Sequence, residues 1–101
     1  QSAKGIKLLL GISSKNNLVI LNAVEFNKYN IIVCSKLNEI IKSIPIDLSE
    51  YELNHELFEN SNTMLDAMER LFFYSPEEKT VRFVLPLKDK TYKSLSYPIE
   101  E

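Results

Sequence analysis

The stretch SKLNEIIKSIP, Ser35–Pro45, decides how the fold is read. Leu37, Ile40, Ile41 and Ile44 stand at i, i+3, i+4 and i+7, the spacing of one apolar stripe on an amphipathic helix. Ser35 is placed to cap that helix, its hydroxyl accepting from an early backbone N–H. Pro45 ends it near Ser43, because the residue before a proline is pushed out of helical geometry. Read this way, the segment is the first of three central helices.

The second helix is expected after PIDLS. Ser49 stands three residues before Glu52 in a capping-box spacing, and Leu53, Leu57 and Phe58 supply a short core face. Asn60–Thr63 (NSNT) breaks it. Thr63 then caps a third helix, with Asp66 at the box position. Met64, Leu65, Met68, Leu71 and Phe72 form its stripe, and Pro76 forbids continuation. On that helix Phe72 completes the buried stripe, whereas Phe73 points away and Tyr74 lies at the frayed end.

The flanks read as strands. In IKLLLGIS, Ile6, Leu8, Leu10 and Ile12 share one face, and Leu9 makes the second face partly apolar as well. The polar cluster SKNN turns the chain into LVILNAVEF, in which Leu18, Ile20, Val24 and Phe26 share a face interrupted by Asn22. These two strands are expected to form an antiparallel hairpin. The run IIVC, Ile31–Cys34, suggests an interior strand covered on both faces. Near the C-terminus, Val81, Phe83, Leu85 and Leu87 alternate with Arg82, Val84 and Pro86. Pro86 places that strand at an edge or ends it. Leu95, Tyr97 and Ile99 mark a returning strand. The expected order is β-β-β-α-α-α-β-β: an α+β domain with a mainly antiparallel sheet and helices packed on one face.

The 101 residues fit one domain, residues 1–101, and its 45% apolar content suffices for a core. Gln1 in place of a methionine reads as the start of a piece excised from a longer protein. The opening QSAKGIKLLLG has a lysine and an apolar run, but the run is too short for a signal peptide and continues as a strand. No apolar run approaches the roughly 18–20 residues that cross a bilayer as a helix. The single cysteine, Cys34, cannot form an intrachain disulfide, so a reducing, intracellular setting is expected.

Charge is unevenly placed. Residues 1–44 carry six lysines against Glu25 and Glu39, whereas residues 45–78 carry nine acids against Arg70 alone. An acidic centre between basic flanks suits a basic protein partner better than nucleic acid. The flanks also lack the arginine density and interleaved aromatics of a nucleic-acid groove.

Catalytic motifs are thin. Gly5 and Gly11 do not make a phosphate-cradling loop, and one cysteine with one histidine does not make a zinc site. ELNHELFENSN has acids but no glycine for a calcium loop. No cofactor or metal is expected. His55 with Glu52, Glu56 and Glu59 nearby is the one acid–base candidate. The expected function is a non-catalytic protein–protein interaction module of a larger intracellular protein or complex. Phe73, Tyr74, Glu77 and Glu78 are its candidate partner-binding residues, because aromatics anchor interfaces. Two alternatives come from other classes: a nucleic-acid-associated subunit using the lysine-bearing N-terminal sheet, and a small enzyme or accessory domain with a His55/Glu site.

Overall fold

A computed structural model of the chain describes residues 5–101. The reading of Gln1 and the contribution of Lys4 to the basic flank lie outside those residues. The chain runs β1 (Ile6–Ile12), β2 (Leu18–Glu25), β3 (Lys28–Cys34), β4 (Ile40–Asp47), a 3-10 turn (His55–Phe58), α1 (Ser61–Leu71), β5 (Phe72–Ser75), β6 (Thr80–Pro86) and β7 (Tyr92–Pro98). Two antiparallel meanders result, a four-stranded sheet β1-β2-β3-β4 and a three-stranded sheet β5-β6-β7. With 52% of residues in strands and 15% helical, the expected α+β domain with three helices is corrected to a two-sheet, β-rich fold with one helix.

Ser35–Asp47 is where that expectation fails. Ser35 does offer its hydroxyl to backbone N–H groups, but to those of Leu37 and Glu39, each at 3.2 Å. The Ser35 N–H donates to the Glu39 carbonyl at 2.8 Å, and Asn38 takes the left-handed φ of 68° that asparagine tolerates. The property that made Ser35 look like a helix cap thus closes a hairpin turn. The isoleucines that follow are β-branched and stiff, and they suit a strand. Ile44 and Ile46 face inward against Ile31 and Tyr29, while Leu37, meant for the helical stripe, is left 83% exposed at the turn. Pro45 is accommodated because β4 is an edge strand.

The second expected helix shrinks to the 3-10 turn. Ser49 donates its N–H back to Asp47 Oδ1 at 2.9 Å in place of capping a helix. Leu53 is drawn into a bridge with Leu87, and Asn54 N–H donates to the Pro86 carbonyl at 3.1 Å. The third helix forms, three residues earlier than expected. Asn60 is its cap: Asn60 Oδ1 accepts from Thr63 N–H at 3.0 Å and Thr63 Oγ1 accepts from Asn60 N–H at 3.1 Å. It buries Met64, Ala67 and Met68 and ends at Leu71. Phe72–Ser75 is therefore strand, not frayed helix.

Both inner sheet faces and α1 share one core. Val19, Leu21, Ala23, Ile31 and Val33 from the first sheet are fully enclosed, as are Val81, Phe83 and Leu85 from the second. The inward face of β2 is thus Val19, Leu21 and Ala23, the reverse of the Leu18, Ile20, Val24 face expected. Both faces of that strand are apolar, and the inward one is the face without an asparagine. In β1 a bulge between Leu9 and Gly11 shifts the register, so that Ile6 and Leu8 face inward while Ile12 turns outward. Gly11 is required where β1 meets β5: a Cβ there would stand 2.9 Å from Tyr74 Cδ2.

An aromatic cluster joins the sheets. Phe72 and Phe83 stack with centroids 3.9 Å apart and planes 10° apart. Tyr29 of the first sheet tilts against both, at 5.2 Å and 6.3 Å. Phe83→Ala should destabilise the chain by about 3–5 kcal/mol in equilibrium denaturation. Phe73→Ala, one residue along from Phe72 on the other face, should cost under about 1 kcal/mol. Burial also pushes the Tyr29 phenol well above the usual tyrosine range, and its hydroxyl donates to the Phe26 carbonyl at 3.2 Å. The folded state thus resists ionisation that the unfolded chain undergoes near pH 10. Its contribution is complete below that pH and is lost progressively as pH rises above it toward the folded-state value. Tyr29→Phe should flatten the fall in stability above about pH 10, read by urea denaturation.

Candidate functional site

The four residues singled out in the sequence are brought to one corner but not to one surface. Strand alternation divides the aromatic run: Phe72 points in, Phe73 points out and is 50% exposed, and Tyr74 points in again and is half-buried over Gly11. Burial, then the charge of Glu101, raises the Tyr74 phenol above its ordinary value. Glu77 and Glu78 lie exposed in the β5–β6 turn. Glu78 pairs with Arg82 at 3.9 Å, the one ion pair among the described residues. Phe73, Ser75, Glu78 and Arg82 line a shallow depression of about 240 Å³. Next to it the outer face of the second sheet carries Ser75, Thr80, Arg82 and Ser96, and a second exposed aromatic, Tyr92, stands further along the same face opposite Pro86.

His55 packs its ring against Phe26 at 5.2 Å. Among the described residues no hydrogen bond joins it to Glu52, Glu56 or Glu59, and no group of three or more His, Cys, Asp or Glu could hold a metal ion. Cys34 is a buried free thiol. Glu101 is tied down: its Oε2 accepts from Ser13 Oγ at 2.5 Å and Asn17 Nδ2 at 2.8 Å. Partial burial works against that charge. The two hydrogen bonds, with Lys15 and Lys79 nearby, outweigh it and hold the carboxyl below the usual glutamate range.

A cluster of exposed apolar residues lies elsewhere, on the outer face of the four-stranded sheet. Residues directly opposite in antiparallel strands share a face. The register therefore sets Ile12, Leu18, Cys34 and Ile40 in one row, with Leu9, Ile20, Ile32 and Ser43 in the next. The third row, Lys7, Asn22, Asn30 and Pro45, is polar up to Pro45. At the two sides of the first two rows Leu9, Ile12 and Ile40 are exposed; Leu18, Ile20 and Ile32 between them are partly exposed and Cys34 is buried. Ile40 is 67% exposed and Leu9 56%. Contiguous exposed apolar patches of a few hundred Å² are often functional on a monomer. Sequence reasoning missed it as a site, although two signals were present: Leu9 making the second face of β1 partly apolar, and the double-sided run IIVC. Both pointed to a covered second face.

No family model, curated protein or solved structure matches this chain. None of the helices is long and apolar enough to cross a membrane, among the described residues.

Proposed function

We propose that the chain is a non-catalytic, intracellular protein–protein interaction module whose main docking surface is the apolar outer face of the four-stranded sheet. The observation that carries this reading is the two-row band assembled from four strands, with Leu9, Ile12 and Ile40 exposed and Leu18, Ile20 and Ile32 partly exposed outside a separate buried core. Leaving such a band in water is unfavourable by about 25 cal/mol per Å², and burial by another protein recovers that energy. A free thiol with no disulfide partner accords with a reducing compartment. Phe73, flanked by Tyr74 and the Glu77–Glu78 turn, is a second and smaller contact, suited to a basic segment.

The other readings gain less support. A nucleic-acid surface on this sheet would have to form around Lys7 and Lys28, where the register sets Asn22 and Asn30 between them and pairs Lys28 with Glu25 and Asp47. A His55 site lacks an orienting carboxylate.

Affinity capture from the source cell, with the intact chain, a Leu9→Asp/Ile40→Asp variant and a Phe73→Asp variant side by side, tests the assignment. Both Leu9 and Ile40 are exposed, so the fold should survive within about 0.5 kcal/mol each. The double variant should lose the partner that the intact chain retains, and Phe73→Asp should weaken recovery less. Equal recovery by all three would contradict both surfaces.

A further inference from the structure

The shape and charge of the uncovered band point to its occupant. The band crosses the strands: it is four strands wide and two residue rows deep. Three inter-strand gaps of about 4.8 Å make it about 14 Å long, the rise of about ten helical residues. A peptide strand added at the β4 edge would reach Ile40 but leave Leu9 and Ile12, three strands away, in water. A helix laid across the strands covers the whole band with one apolar stripe.

The rim is basic. Lys7 stands on the same face one row beyond Leu9, and Lys15 and Lys36 lie in the two turns that close the apolar end of the sheet. Two acids share this rim, Glu39 and Glu101; the Glu101 carboxylate keeps its charge while accepting from Ser13 and Asn17 beside Lys15, so three lysines face two acids. Elsewhere the balance reverses: the 3-10 turn, α1 and their approaches carry Glu50, Glu52, Glu56, Glu59, Asp66 and Glu69 against Arg70. An acidic partner is thus repelled from the helix side and attracted to the sheet. A second copy docked face to face would oppose lysine rim to lysine rim.

We propose that the band binds an amphipathic helix of about three turns from another protein, its apolar stripe flanked by Asp and Glu. This rests on the interaction-module reading above. It assigns that module a helix-in-groove mode of recognition, with apolar anchors at i, i+3, i+4 and i+7 and lysines setting orientation and on-rate.

Selection from a displayed library of random peptides about 16 residues long, enough for four helical turns, tests it. The bait is the intact chain, and the Leu9→Asp/Ile40→Asp variant serves for counter-selection. Enriched peptides should show apolar residues at helical spacing with excess Asp and Glu. They should bind the variant at least about tenfold more weakly and lose affinity as salt rises. Lys7→Glu/Lys36→Glu should weaken them while leaving thermal unfolding unchanged. Peptides that use this face but are basic, or that alternate with a period of two, would overturn the acidic helix and leave the module standing. Sedimentation showing a dimer abolished by the double variant would do the same, whereas flotation on anionic vesicles abolished by it would overturn the interaction module as well. A selection yielding nothing that discriminates intact chain from variant would remove both readings.

Discussion

The contact between Tyr29 of β3 and the stacked pair Phe72–Phe83 is the constraint on which the rest of the structure depends. A two-stranded hairpin is marginal alone in water, and the third strand of this meander, β5, is only four residues long. The β5–β7 sheet gains stability by setting its inner face against the first sheet, and these rings are where the faces meet. Phe72 must therefore enter the core directly after Leu71. That fixes the end of α1, starts β5 at the next residue and forces Phe73 outward by alternation. Tyr74 then turns inward again, onto the Gly11 backbone, where no larger residue would leave room for its ring.

Directing both inner faces into one core settles what the outer faces can do. The outer face of β5–β7 is polar apart from Phe73 and the apolar ends of its strands, as befits a solvated sheet. The outer face of β1–β4 is not. Its isoleucines and leucines are concentrated at the end closed by the Ser13–Asn17 and Ser35–Glu39 turns, and its polar residues lie beyond Asn22 and Asn30. The bulge in β1 contributes, because it moves Ile12 from the inward to the outward set. Charge is divided along the same line, with lysines on the four-stranded sheet and acids on the helical side. A solvent-exposed band of this composition is the feature most readily explained by a partner.

The sequence made legible those parts in which one period dominated. Val81, Phe83 and Leu85 alternate without competition, and they form the buried face of β6. Met64 and Met68 share one face of a helix that is present. Legibility failed where a pattern satisfied two periods. Ile40, Ile41 and Ile44 fit a helical stripe as well as a strand, and Ser35 favours either a cap or a turn through the same hydroxyl. The choice was made by tertiary context: β3 offers an edge to pair with, and Asn38 can adopt the positive φ that closes the hairpin. For the site, Phe73 was identified as outward-facing, though for a helical reason and not the strand alternation that applies. The apolar band needed the cross-strand register, which brings Ile12 beside Leu18 and Ile40 beside Cys34. No local window contains those pairs.

The account's central claim is that the two meanders are one cooperative unit joined through this aromatic cluster. Native-state hydrogen exchange on the intact chain and on Phe72→Ala tests it most directly. In the intact chain the amides of Leu21, Ile31 and Phe83 should open with a common free energy, and the substitution should lower all three equally. Protection lost in β5–β7 alone, with β2 and β3 unchanged, would show that the sheets are stable independently and would contradict the claim.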